Sequence, residues 1–132
     1  MLLVDTNVLV DVFQDDPQWA EWSIGQLRAQ SSIHQLVINP IIYAEISLSF
    51  SSLEALDSAV ATLALEHREI PRPALFLAAK AYAQYRKRGG SKTQVLPDFF
   101  IGAHAAVEGW RLLTRDAGRF KTYFPTLDVL TP

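Results

Sequence analysis

The 132-residue chain contains no cysteine. That excludes disulfides, thiolate zinc sites and a cysteine nucleophile, and it fits a reducing, cytoplasmic setting. A long apolar run is also missing. None approaches the roughly 18 residues needed to span a bilayer, so no membrane partner is expected. The apolar N-terminus does not read as a signal peptide, because no basic segment precedes it and Asp5 and Asp11 interrupt it. Basic side chains are scarce in the first half. Residues 1–67 hold Arg28 alone against nine acids (−8), whereas residues 68–132 hold eleven basic groups against five acidic (+6), giving −2 in all. Such a split fits a basic surface for a polyanion beside acids that hold a cation. It fits an ordinary solvated surface equally well.

With about half of its residues hydrophobic, a chain of this length is expected to form one domain, 1–132, around one core. Leu2-Leu3-Val4 is a short buried strand with Asp5 at its end. Thr6 and Asn7, both good helix caps, introduce Val8-Leu9-Val10. Asp16-Pro17 predicts a second helix, running to about Ser31. Gln35 to Ile38 is a strand. Asn39-Pro40 opens a helix through Leu48, Ser51-Ser52 breaks it, and Leu53 to Leu65 continues as another. His67 to Ile70 is a third strand, and a helix follows from about Ala74 to Lys87. Arg88 to Gln94 is a loop. A helix from Leu96-Pro97-Asp98 reaches Glu108, and Gly109 ends it. Trp110 to Thr114 is a strand, Asp116 to Phe120 a turn, and Leu127 to Leu130 a last strand. Strands alternating with helices imply an α/β fold, a short and mainly parallel sheet flanked by helices on both faces.

Four carboxylates stand out. Asp5 and Asp116 fall just beyond strand ends, and Asp98 lies in a first helical turn, so in a parallel sheet all three reach one edge. Singly, each is an ordinary cap or turn residue. Glu45 shares a helical face with Ile41 and Leu48, which predicts a carboxylate in the core-facing stripe; the alternative puts it at the stripe's margin. Carboxylates converging on one edge repel one another unless a cation joins them. Oxygen ligands alone suit a hard ion, Mg²⁺ or Mn²⁺, and such a site suits phosphoryl chemistry.

These stretches resemble the motifs of PIN-domain ribonucleases, specifically the VapC-type toxins of type II toxin–antitoxin pairs. Leu3-Val4-Asp5-Thr6-Asn7-Val8-Leu9 is similar to the first motif, Asn39-Pro40 through Ala44-Glu45-Ile46 to the second, and Pro97-Asp98-Phe99 through Ala105 to the third. Leu113-Thr114-Arg115-Asp116, then Phe120, and the closing Val129-Leu130-Thr131-Pro132 are similar to the last. The resemblance covers the whole chain. It implies a PIN-like three-layer domain, homodimerisation, a small antitoxin partner and Mg²⁺- or Mn²⁺-dependent endonucleolytic cleavage of RNA. Asp5, Glu45, Asp98 and Asp116 would be the catalytic and metal-binding acids, Asp5 and Asp98 above all. Thr6, Asn7 and Thr114 would support them. In-line attack by a metal-activated water would leave a 5′-phosphate and a 3′-hydroxyl. Arg86, Lys87, Arg88 and Lys92 would contact the RNA backbone, with Arg115 and Arg119 nearer the metal.

Other readings fit less well. A haloacid-dehalogenase-like phosphatase needs a second aspartate where Asn7 stands, and a receiver-type signalling domain gives Glu45 no role. Gly90-Ser91-Lys92-Thr93 is not a phosphate-binding loop, since it follows a helix and lacks the earlier glycine. His34, His67 and His104 lack metal-ligand spacing, and His104 is expected to pack or line a pocket. Trp19 and Trp22 are expected in the core or at a dimer contact. A non-catalytic PIN-like module that binds RNA or protein is the remaining alternative.

Overall fold

The computed structural model describes residues 1–92 and 94–132; Thr93, in the predicted loop, lies outside them. Five strands and seven helices follow in order: β1 (Leu2–Val4), α1 (Thr6–Phe13), α2 (Ala20–Ser31), β2 (Leu36–Ile38), α3 (Pro40–Ile46), α4 (Leu53–Thr62), β3 (Glu66–His67), α5 (Arg72–Lys87), α6 (Leu96–Glu108), β4 (Arg111–Leu113), α7 (Gly118–Tyr123) and β5 (Val129–Leu130). The strands form one sheet in the order β3-β2-β1-β4-β5, with every pairing parallel. The central strands β1 and β2 are buried throughout, as is Leu112-Leu113 of β4. This is why they read as short apolar runs without alternation.

The topology positions a site. From β1 the chain moves outward to β2 and β3; it then crosses back to β4 on the other side of β1. Right-handed crossovers place α1 to α4 on one face and α5 to α7 on the other. Accordingly α1 packs on α2 and α3, and α6 packs on α5 and α7, while α3 and α6 also meet each other. The chain therefore leaves the adjacent strands β1 and β4 toward opposite faces, which opens a crevice at their carboxyl ends. Asp5 follows β1 there. Thr114 and Asp116 follow β4. Helix α6 begins at the same edge, because it must run back down before β4 rises.

Several local expectations are corrected. Helix α1 starts at Thr6, and Asp5 itself is the N-cap, accepting the Thr6 amide at 2.7 Å. Asp16 accepts the amides of Gln18 and Trp19 at 2.9 Å, but in a turn that precedes α2. Helix α3 stops at Ile46 in a 3₁₀ turn, Ser47–Ser49. Ile42 and Ile46 face the core while Leu48 is 90% exposed, so the stripe predicted to carry Glu45 is displaced by one position. Helix α4 ends at Thr62, short of Leu65, and β3 lies at Glu66–His67, earlier than expected. Where the sequence predicts a turn from Asp116 to Phe120, α7 begins at Gly118. Asn39 behaves as expected, accepting the Ile42 amide at 3.0 Å. Its own amide nitrogen donates to His104 Nδ1 at 3.1 Å, tying α3 to α6 inside the core.

Candidate active site

Asp5 is 5% exposed and held on both oxygens. Oδ1 takes the Thr6 amide, and Oδ2 takes the Thr114 hydroxyl at 2.7 Å. Thr114 Oγ1 in turn accepts the Asp116 amide at 3.1 Å and Asn7 Nδ2 at 3.3 Å, while Asn7 Oδ1 accepts the Arg115 amide at 3.2 Å. The polar residues after β1 and β4 thus form one network that fixes the Asp5 carboxylate across the sheet edge. Glu45 joins from α3, where Oε1 accepts the Thr6 hydroxyl at 2.6 Å. Glu45 is only half-buried, at the margin of its helix; Thr6, not core burial, brings it to the site.

Electrostatics couple the four acids pairwise. Burial pushes the Asp5 carboxyl up to about 7, with Asp98 and Glu45 adding to the rise. Glu45 is raised by burial and by Asp98. Asp98 is raised by burial and by Asp116, against the pull of Arg119. Asp98 therefore lies within electrostatic reach of all three other acids, though it comes from α6 and Glu45 from α3. Such mutual repulsion favours either protons or a cation.

The donors are all oxygens, four acids with two threonine hydroxyls behind them, which is the chemistry of a hard divalent ion such as Mg²⁺ or Mn²⁺. Each carboxylate here has its own partner: Thr114 for Asp5, Thr6 for Glu45, Arg119 for Asp98 and the Gly118 amide for Asp116. Among the described residues no three acidic or imidazole side chains surround a common point as they stand. The residues fit such an ion in kind and charge, and side-chain turns would be needed to converge on it.

The basic residues separate into three settings. Arg86, Lys87, Arg88 and Lys92 are exposed around the end of α5, with Arg88 lying over the Tyr123 ring. Arg115 turns away from the acids: its guanidinium meets both oxygens of Asp11 at 2.9 and 3.1 Å and covers Trp19. Arg119 points into the site and meets Asp98 Oδ2 at 2.6 Å. Sequence reasoning gave Asp11 no role, yet it is fully buried and also accepts the Ser23 hydroxyl at 2.9 Å. A charged residue on the α1 face beside Val8 was the available signal. Also unanticipated were Tyr82 and Tyr85, three apart on α5, which pack with Phe99 and Tyr123 beside Asp98. His104 is buried against Trp110, and Trp19 packs edge-on to Trp22.

Comparison with known proteins adds a family. The PIN domain family model matches residues 2–124. No curated protein matches the sequence. Among solved structures, VapBC2 from Rickettsia felis, bound to a DNA fragment from its promoter, aligns over 98% of this chain and 97% of its own, at 18% identity and a TM-score of 0.74. A toxin–antitoxin complex from Klebsiella pneumoniae aligns over 100% and 98%, at 23% identity and 0.69. FitAcB from Neisseria gonorrhoeae aligns over 98% and 96%, at 20% identity and 0.67. At such identities these likenesses speak to the fold.

Proposed function

The chain belongs to the PIN-domain family, and on that premise we propose that it is a metal-dependent endoribonuclease, the toxin of a VapBC-type toxin–antitoxin pair, with residues 1–132 acting as one PIN-like unit. The observation that carries this reading is the hydrogen-bond network at the β1–β4 crevice, in which Thr6 joins Asp5 to Glu45 and Thr114 joins Asp5 to the Asp116 turn, with Asp98 opening α6 beside them. PIN domains are generally nucleases, and PIN nucleases generally use divalent metals. The fold-level likeness to toxin–antitoxin complexes supports an antitoxin partner, and homodimerisation and a cytoplasmic setting belong to the same reading. No helix among the described residues is long and apolar enough to cross a membrane.

Asp5 and Asp98 would hold Mg²⁺ or Mn²⁺, with Glu45 and Asp116 completing the site. When bound, the ion would polarise the scissile phosphate and make water a competent nucleophile near neutral pH. The protein's own part is positional. Thr114 and the Thr6 amide fix both oxygens of Asp5, so its orientation is set before substrate arrives. Thr6 holds Glu45 to the opposite wall. Asn7 and Thr114 anchor the Asp116 turn. The exposed cations at the end of α5 would engage phosphates flanking the cut, contributing affinity and a steep salt dependence.

The test is cleavage of a single-stranded RNA by the purified chain with Mg²⁺ or Mn²⁺, against the chelated protein and Asp98→Asn. Replacing Asp98 should abolish cutting while circular dichroism and the unfolding midpoint stay near wild type. Full activity in that variant, or in chelator, would remove the metal role. Binding of RNA without any cutting would leave the non-catalytic module as the better reading.

A further inference from the structure

The two arginines beside the acids are held in unlike ways. Arg115 is bidentate on Asp11, a carboxylate that is 2% exposed and also bonded to Ser23. That pair is locked. Arg119 makes one contact, through Nη1, to a carboxylate that is one-third exposed. It has no other ion pair among the described residues. A guanidinium carries five donors in a planar fork, so most of Arg119's capacity remains for phosphate oxygens.

Its position is built by packing. Helix α7 seats the buried Phe120 and Phe124 on α6 at Gly102, one turn beyond Asp98 on the same helix. A Cβ on Gly102 would come within 2.5 Å of the Phe124 ring and 3.0 Å of Phe120. Absence of that atom lets α7 approach closely enough for Arg119 to reach Asp98. The Tyr85 ring stands behind the guanidinium, 5.9 Å from it, and is itself steadied by Tyr82, Phe99 and Tyr123.

Resting on the nuclease reading, we propose that Arg119 is a tethered counter-ion of Asp98: it competes with the divalent cation for that carboxylate and passes to the RNA backbone when the cation binds. The logic is linkage. Arg119 already neutralises part of the Asp98 charge through Oδ2, and a cation on the same carboxylate would face the guanidinium's like charge, so each weakens the other. A bound phosphodiester accepts the displaced guanidinium, so substrate strengthens the cation's hold. Arg115 cannot act this way, because leaving Asp11 would strand a buried charge.

The experiment is a Mn²⁺ titration of the RNA-free protein, with free Mn²⁺ read by electron paramagnetic resonance. Wild type, Arg119→Ala, Arg119→Gln, Lys121→Ala and Asp98→Asn are compared. Lys121 is an exposed cation on the same short helix, and it controls for net charge. Removing Arg119 should tighten Mn²⁺ roughly two- to fivefold, the scale of a partly exposed ion pair, with Lys121→Ala close to wild type. At saturating Mn²⁺, both Arg119 variants should show a raised KM for RNA. Unchanged or weaker Mn²⁺ binding in them, an equal effect from Lys121→Ala, or an unchanged KM would overturn the proposal. In those cases the nuclease reading stands if wild type binds Mn²⁺ and Asp98→Asn does not. Failure of wild type to bind Mn²⁺ would overturn both.

Discussion

Replacing Asp5 by Asn should stabilise the metal-free protein above neutral pH, with the advantage shrinking as pH falls. Burial, with Asp98 and Glu45 adding, lifts the Asp5 carboxyl to about 7 from its ordinary 3.8. Between those limits the folded state binds a proton that the unfolded chain has released, so folding stability falls as pH rises. The benefit of a protonated Asp5 is fully present below about pH 4 and is gone once pH passes through 7. Each pH unit in that window is worth about 1.4 kcal/mol. From pH 5 to pH 8 wild type should therefore lose about 3 kcal/mol relative to Asp5→Asn. Asparagine keeps one oxygen for the Thr6 amide, so the cap survives, and Thr114 can turn its hydroxyl to the Asp116 carbonyl, 3.3 Å away. Urea unfolding of both proteins in chelator at pH 5, 6, 7 and 8 reads the effect directly. A constant difference across that range would refute the premise that Asp5 is a buried carboxyl without a matching cation. Added Mg²⁺ supplies the converse: at 100 times its Kd it should stabilise wild type by about 2.7 kcal/mol at pH 8 and leave Asp5→Asn little changed.

Two further substitutions probe the frame around the site. Asp11→Ala removes the partner of Arg115 and Ser23, and should cost about 3 kcal/mol in a urea titration, as breaking a buried pair does; a cost below about 1 kcal/mol would mean that the pair behaves as a surface one. Gly102→Ala pushes a methyl into the Phe124 and Phe120 rings and should cost about 1–3 kcal/mol by overpacking. A neutral Gly102→Ala would show that α7 is not seated as described.

The legible parts of the site were those set by local chain position. Asp5 and Asp116 follow strands, and Asp98 opens a helix, so their shared edge could be read from element order. The sequence argument for Glu45 as a candidate was faulty. Its supposed stripe ran through Leu48, which is exposed, because α3 tightens into a 3₁₀ turn after Ile46. What brings Glu45 to the site is the hydroxyl of Thr6, 39 residues earlier in the chain, and no periodicity encodes that contact. The Asp11–Arg115 pair spans 104 residues and is equally silent in the sequence. Helix α7 was hidden because Asp-Ala-Gly reads as a turn, and a helix of six residues has little propensity of its own. Phe120 and Phe124 packing on Gly102 create it.

The charge asymmetry visible at the outset is partly consumed by the fold. Arg115, from the basic half, crosses to Asp11 in the acidic half, and Arg119 turns to Asp98. The cations ending α5 have no ion pair among the described residues. Their clustering there is favoured in part by the helix dipole, which welcomes positive charge in a last turn. The dipole does not explain why residues 70–97 contain six basic side chains and no acidic one. Glutamates four residues before Lys80, Arg86 or Lys87 would have stabilised α5 by a few tenths of a kcal/mol each. Leaving them out preserves a positive field along the helix that packs on α6 and its Asp98. A carboxylate on α5 would gain helix stability and repel any polyanion approaching that end of the crevice. An uncompensated basic helix beside an acidic cluster is the arrangement expected where a phosphate backbone must be drawn toward carboxylates that would otherwise repel it.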